Sequence, residues 1–509
     1  MKNAPEIIYA SRRCIDGFSQ ISLIEDLTWD EHDKVWFIHI GICNLDGTIN
    51  IPQNTEWYIT IPNQYPEGRI RIYPSVINGV TETFYHQANN GVISHNGLWR
   101  MGDPCLTDPF DDVLAVNKEP QNEDKLRWNI LRLLQWIKQA NEGTLVCDSD
   151  YFELPQLHHG SNFTFIFNED EISFLEWESA EERSGIVTCR GKCTEQIFTD
   201  VFSASKNAIC KKESWGEYVF EAESNIIGIW ILLDKIPVIN RWQAPNTYGE
   251  LSLAFDNMGL DFKNELTPLL NRIRDGKQHP LFLGFPVPEK FNQEPVSYHW
   301  WTCVLPVLSY GQQYEKGFRC NNTGYIFRDF KRLLNKQAKI DWACSENWNN
   351  NQIMRRGQLS RQIISKKYII IGAGSIGSAV AEQLIRSGVY NISIMDYDIL
   401  KAGNLTRHTL TLESVGKSKA TVLADHLRKI NCHVYAKAIN DELSDKNMGI
   451  LNDYDVILDC TGDDDVFKSL SYIKSDKIVC SVSVGFKARR VYIFYSYNEA
   501  FSDEYLLVK

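Results

Sequence analysis

The sequence predicts an α/β chain of several domains that ends in a doubly wound parallel sheet. Three observations lead there. From Lys366 onward, short buried apolar runs alternate with amphipathic helical ones. A glycine-rich turn joins the first of these strands to the first of these helices. The length, 509 residues, suits about three domains with cores of their own. Hydrophobic residues make up 43% of the chain and charged residues 23%, as in a globular protein. A net charge of −12, without a long basic run, argues against direct nucleic-acid binding. No apolar stretch of about 18 residues offers a membrane span, and the mixed polar N-terminus lacks the core of a secretory leader, so the expected location is cytoplasmic. The 13 cysteines are scattered and form no C-x-x-C; in a reducing compartment most read as small buried apolar groups.

The elements fall into regions of different texture. Residues 1–154 begin with strand-like runs (VWFIHIGI, EWYITI, RIRIYP) and end in EDKLRWNILRLLQWIKQANEG, an α+β order. In that last stretch Leu126, Ile130, Leu133, Leu134 and Ile137 share a helical face, and Gly143 suits its C-terminal stop. Residues 155–336, with FTFIF, IIGIWILL and YHWWTCVLPVLSY, read as a mixed α/β middle domain without a motif that carries chemistry. Residues 337–365 turn polar and read as a linker. In 366–509 the order is strand (KKYIIIG), helix (SIGSAVAEQLIRSG), strand (NISIMD), helix (GKSKATVLADHLRKIN) and three further strands (HVYAKAI, DVILDC, KIVCSVSV).

The turn is IIIGAGSIGSAV, a G-x-G-x-x-G at Gly372, Gly374 and Gly377 between a strand and a helix. Glycines allow the tight turn and the close approach of a phosphate, and the helix N-terminus presents unpaired N–H groups and the positive end of its dipole. Asp396, at the end of the second strand, is placed to accept from ribose hydroxyls. Up to this point an NAD-dependent oxidoreductase reads the same way.

The following segment, MDYDILKAGNLTRHTLTLESVGKSKA, resembles the ThiF/MoeB adenylating enzymes and the adenylating domain of ubiquitin-activating enzymes. Their pattern, D-x-D-x-V-x-x-x-N-L-x-R-Q and then G-x-x-K, is met in order by Asp396, Asp398, Asn404, Leu405, Arg407, Gly416 and Lys419, with His408 where Gln is usual. The resemblance implies ATP and Mg2+, with Asp396 on the ribose and Asn404, Arg407 and Lys419 on the phosphates. Fixed cations there suit attack of a carboxylate on the α-phosphate, which builds negative charge. It also implies a metal-binding Asp. The corresponding segment runs Asp459-Cys460-Thr461-Gly462-Asp463-Asp464, shifted by one residue, so Asp463 fits best and Asp464 next. An arginine supplied from just before the first strand, often across a dimer interface, is matched by Arg361 in SRQI, with Arg355 and Arg356 nearby.

Near the other end, Cys105 sits in SHNGLWRMGDPCLTDPF, between the strand-rich run and the amphipathic helix. This order resembles ubiquitin-conjugating domains, with His95-Asn96 for their H-P-N and Gly102-Asp103-Pro104-Cys105 for their G-x-x-C. It implies a thioester-carrying Cys105, with Asn96 or His95 stabilising the oxyanion. His86, in FYHQ, reads as structural, as do the other twelve cysteines.

A conjugating-like domain ahead of an adenylating one resembles the bacterial fusion proteins of CBASS anti-phage operons. That resemblance implies an ATP-dependent ligase, a homodimer, that activates the C-terminus of a cGAS-like nucleotidyltransferase, passes it to Cys105 and joins it to a lysine of a target protein. The thioester cysteine of the activating domain itself has no clear counterpart before Lys509, Cys480 being a poor substitute, so the adenylating domain is expected to be shortened at its C-terminus. The alternative is a catalytically incomplete module that holds ATP and a partner's tail.

Overall fold

The computed structural model describes residues 4–43, 50–107, 118–191, 195–204, 208–221, 224–311, 315–354, 357, 359–471, 473, 476–485 and 487–497. Arg355 and Arg356 lie outside them.

The first region is an antiparallel meander of β1 (Ile21–Asp30), β2 (Val35–Cys43), β3 (Asn54–Pro62) and β4 (Arg71–Pro74), in that spatial order. The helix Lys125–Glu142 covers one face. Its Leu126, Ile130, Leu133, Trp136 and Ile137, spaced at helical intervals, share a core with Ile38, Ile40, Trp57 and Ile59. Leu134 packs only at the margin of that core. Gly143, at φ 74°, ends the helix in a left-handed turn whose N–H returns to Gln139 O. On the other face Phe37, Tyr58, Tyr73 and Trp99 form a small aromatic cluster. Trp99 belongs to an irregular antiparallel ribbon of residues 86–94 against 99–105, held by Met101 N–H to Val92 O, Ala88 N–H to Asp103 O and Cys105 N–H to His86 O.

The middle region is built on β5 (His159–Phe167), β6 (Ser184–Gly191), β7 (Gln196–Ala204), β8 (Ile209–Lys212), β9 (Ser224–Leu232), β10 (His279–Val287), β11 (Ser297–Leu305) and β12 (Trp342–Asn347). They follow the order β5-β12-β11-β10-β9-β6-β7-β8, and an added β5–β7 pairing closes seven of them into a barrel. Phe165, Trp177, Trp230, Phe282 and Trp300 form one of its cores, which explains the aromatic texture of the sequence. The expected linker needs correction: Trp342–Asn347 lies within 337–365, yet β12 pairs with both β11 and β5. Its short run WACSEN is too polar to read as a strand on its own.

The third sheet holds β13 (Tyr368–Ile371), β14 (Asn391–Met395), β15 (Tyr435–Ile439), β16 (Val456–Asp459), β17 (Ile478–Gly485) and β18 (Arg490–Tyr497), ordered β15-β14-β13-β16-β17-β18. All pairings are parallel except β17–β18. Counted within the sheet this is 3-2-1-4-5-6, the doubly wound order, whose switch point lies between β13 and β16. The expected parallel sheet is therefore present.

The barrel is bonded to both neighbours. Toward the first region, Trp242 N–H donates to Thr83 O, and Tyr85, Trp242, Phe152 and Phe291 pack in tilted and edge-to-face contacts. Toward the third, Gly216 N–H donates to Cys432 O and Tyr435 Oη–H to Trp215 O. A Cβ at Gly216 would lie 2.6 Å from Val434 O, so only glycine admits this approach.

Candidate active site

The glycine turn stands at the switch point, where a doubly wound sheet binds its ligands. Gly372, at φ 89°, turns the chain out of β13; its N–H donates to Met395 O, and a Cβ there would sit 2.9 Å from Thr461 N. Gly377 lies so close beneath the turn that a Cβ would come within 1.9 Å of Gly372 O. Gly374 is the N-cap of the helix Ser375–Arg386 and meets nothing within 4 Å. No side chain caps this helix, so its first N–H groups face the open space above Gly374.

Asp396 is committed to the turn through both oxygens: Oδ2 accepts from Ala373 N–H at 2.7 Å and Oδ1 from Asp398 N–H at 2.7 Å. Asp398 in turn holds Lys419, whose Nζ lies 2.8 Å from Oδ2. Asn404 Oδ1 accepts from Lys401 N–H and closes a short turn; Arg407, exposed, donates to Gly403 O at 3.2 Å. The structure thus joins Asp396, Asp398 and Lys419 to the turn through direct bonds, and Gly372, Gly374 and Gly377 shape the turn they hold. Asn404 and Arg407 stand on the same segment, and the rim they occupy is tied to the turn by His408.

His408 is the residue whose part the sequence did not reveal. Its Nε2–H donates to Ala373 O at 2.8 Å, and its Nδ1 accepts from Leu410 N–H at 3.2 Å. That pairing requires the neutral ring. Burial holds its pKa below the usual imidazole value, with Lys419 and Arg407 pushing the same way. The only signal was its place at the usual glutamine of the pattern; like an amide, a neutral imidazole donates with one atom and accepts with another.

After β16, the fully buried Asp459 accepts from Thr461 N–H, Thr461 Oγ1–H and Ser481 Oγ–H, which fixes the second turn against the first. Asp463 is exposed, and its Oδ1 accepts from Asp465 N–H at 2.8 Å at the start of the helix Asp464–Ser471. Arg361 is exposed at the head of the short helix Arg361–Ile364.

Cys105 is exposed at the open end of the ribbon; its Sγ is 3.4 Å from Thr107 O, and Arg132 of the long helix donates to Leu106 O at 2.7 Å. His95 and Asn96 stand in the turn at the ribbon's closed end. Asn96 Nδ2–H donates to Asp30 Oδ2 at 3.0 Å, and His95 Nε2 is 3.6 Å from the same oxygen. At about 3.3 Å per extended residue, the six steps of ribbon from Trp99 to Cys105, up to roughly 20 Å, separate them from the thiol. They are joined to the β1–β2 hairpin, and no described bond links them to the thiol. The neighbour of Cys105 is His86, read from the sequence as structural: its O accepts the Cys105 N–H, it has φ 55°, and its Nδ1 is 3.3 Å from Glu153. Of the other described cysteines, Cys147 and Cys320 are exposed. Burial raises the thiols of Cys14, Cys432 and Cys460 to about 11, 12 and 12, and that of Cys480 upward too.

A 3-2-1-4-5-6 sheet with a glycine turn, an open helix N-terminus and an Asp–Asn–Arg–Lys rim defines an adenylating enzyme of the ThiF class. Residues 348–499 match the ThiF family, and residues 143–348 match the Cap2 central linker domain. The chain is 33% identical over 467 residues to the ATP-dependent ubiquitin transferase-like protein Cap2 of Enterobacter hormaechei subsp. hoffmannii (strain UCI 50), an overlap of 89% of this chain and 78% of that one. It is 32% identical over 117 residues to the molybdopterin-synthase adenylyltransferase of Escherichia coli (strain K12), covering 22% of this chain and 47% of that one. Among solved structures, E. coli MccB with ATP overlaps 24% of this chain and 39% of its own at 23% identity, with a TM-score of 0.23, too slight a likeness to bear on the fold. The chain belongs to the Cap2 family of ATP-dependent ubiquitin transferase-like proteins, and it is an adenylating ligase. The expectation of an adenylating rather than an NAD-dependent enzyme agrees with these matches. Among the described residues no helix is long and apolar enough to cross a membrane.

Proposed function

We propose that this enzyme uses ATP to adenylate the C-terminal carboxylate of a protein, accepts the acyl group on Cys105 as a thioester and delivers it to a lysine amine. The observation that carries the reading is the switch-point crevice: an uncapped helix N-terminus and an open Gly374 on one side, with Arg407 and Lys419 on the facing segment. In the first step a carboxylate oxygen attacks the α-phosphorus of ATP and pyrophosphate leaves. The helix N–H groups bind the phosphates, and Asn404, Arg407 and Lys419 offset the charge that builds. Asp396 faces the ribose. Arg361 of a second copy completes the site in a homodimer.

The donor set suits Mg2+ as well. Asp463 spends one oxygen on the helix start and is exposed, as a hard cation that keeps most of its waters requires. When bound, Mg2+ would neutralise phosphate charge beside Asp463, with Asp464 adjacent. In the second step the Cys105 thiolate attacks the acyl carbon and AMP leaves. In the third, the lysine amine attacks the thioester, the thiolate leaves and the amine gives its proton to solvent.

An N-terminal domain of the ubiquitin-conjugating type is part of this proposal; the meander, the exposed thiol and the covering helix support it. Membership in the Cap2 family supports the CBASS setting, with the tail of a cGAS-like nucleotidyltransferase as the carboxylate. The test is ATP–pyrophosphate exchange in the presence of such a tail. Exchange that depends on the tail and is lost in Arg407→Ala supports the reading; ATP binding with no exchange for any tail overturns it.

A further inference from the structure

The hairpin turn between β1 and β2 and the closed end of the Cys105 ribbon meet at a cluster that the adenylation and thioester chemistry does not use. His32 and Asp33 come from the hairpin and His95 from the ribbon; one ligating atom of each lies within 4.8 Å of the others. His32 Nδ1 is 2.8 Å from Asp33 Oδ1, and His95 Nδ1 is 3.6 Å from Asp33 Oδ2. Four ligands at about 2.0–2.1 Å around a tetrahedral zinc ion stand about 3.4 Å from one another; the two nitrogen-to-carboxylate spacings, one to each oxygen of Asp33, fall on either side of that edge.

We propose that His32, Asp33 and His95 form a surface site for a borderline transition-metal dication, zinc in the first instance. Two imidazoles and a carboxylate are the donor chemistry such ions select over magnesium or calcium. The site also has an outer partner. Asp30, 8% exposed, accepts the His32 and Asp33 N–H groups on Oδ1 and Asn96 Nδ2–H on Oδ2, and that second oxygen is 3.6 Å from His95 Nε2. At 3.6 Å that carboxylate is beyond hydrogen-bond distance, but its charge favours the proton on the far nitrogen and leaves Nδ1 as the ligand. The His32 and His95 rings stack, with centroids 3.9 Å apart. The side chain of His32 is 70% exposed, so metal binding can draw its ring off the stack and turn both Nδ1 lone pairs toward one ion. Three protein ligands leave a fourth position for water or for a partner's donor.

The test uses the full chain, stripped with a chelator and kept reduced. Zinc is titrated against a chromophoric chelator, and cobalt(II) is added separately to read the ligand field. A zinc equivalent that weakens at least about tenfold in His32→Ala and in His95→Ala, with tetrahedral cobalt bands that lack thiolate charge transfer, supports the site. Unchanged affinity in both variants overturns it, as does binding whose cobalt spectrum is thiolate-rich, because that metal is on cysteines. Both histidines are exposed, so matching melting curves without metal confirm that the variants fold; Asp33→Asn is the replacement if either fails.

Discussion

Lys419 Nζ lies 2.8 Å from Asp398 Oδ2, joining a buried ammonium to a carboxylate that is half exposed. The lysine side chain is 10% exposed and that of Asp398 49%. The cation therefore depends on a partner that water and ligand can both reach. In Asp398→Ala the ammonium is left without it, which costs about 1–2 kcal/mol after discounting for the exposed carboxylate. Bound phosphates would restore a counter-charge. The rise in melting temperature on adding ATP should then be larger in Asp398→Ala than in the parent. An equal or smaller rise would mean that Lys419 does not meet the phosphates.

The glycines of the turn separate fold from binding. Gly377→Ala places a Cβ 1.9 Å from Gly372 O, an overlap that should cost about 3 kcal/mol or more and loosen the third sheet. Gly374→Ala meets nothing within 4 Å, so the domain should melt as before while ATP affinity falls. Melting curves and nucleotide titration on the two variants check the contrast; unaltered ATP affinity in Gly374→Ala would place the phosphates elsewhere.

Arg407→Ala should lower tail-dependent pyrophosphate exchange by about 100- to 1,000-fold, the usual effect of removing one group that stabilises developing charge. Cys105→Ala should lose the thiol-reducible acyl adduct. A labelled tail, followed on gels with and without reductant, reports it; an adduct that persists moves the acyl carrier to another thiol, with Cys147 and Cys320 the exposed alternatives among the described residues.

Three histidines favour neutral pH. Burial lowers the pKa of His299 to about 4, between Phe167 and Phe285, and it lowers those of His408 and His433 as well. Each stays neutral in the folded chain after the unfolded chain, at about 6.5, has begun to take up protons. Their contribution is complete above about pH 6.5 and is lost as pH falls toward the folded values. For His299, which is only partly buried, the loss is at most about 3 kcal/mol. Urea midpoints should drop between about pH 7 and about pH 5, and less steeply in His299→Phe. A profile unaffected by that substitution would contradict the assignment.

The legible part of the molecule was the part written locally. The third sheet announced itself because β13, β14 and β16 are short runs of buried Ile, Val and Leu between helices with clear periodicity. The helix Lys125–Glu142 was equally plain, down to its glycine stop. What the sequence hid is set by distant partners. β1 carries Glu25 and Asp26 where its register against β2 shifts, so its alternation is broken. β12 is recognisable only through its places beside β11 and β5, and barrel closure rests on the β5–β7 pairing. At the site, chain order put His95 and Asn96 near Cys105, but an antiparallel ribbon folds near neighbours to opposite ends. It brought His86, nineteen positions before the thiol, beside it instead.

The barrel bonded on both sides also governs logistics. Trp242 against Thr83 and Gly216 against Cys432 are backbone junctions with no slack of the kind a glycine-serine tether provides. A short swinging arm between the crevice at Gly374 and the thiol at Cys105 is thereby missing from the described barrel. If Cys105 takes the acyl group as proposed, the traveller is the acyl-bearing tail itself, and the length and pliancy of that tail, rather than hinge bending in the enzyme, would set how fast the second step follows the first.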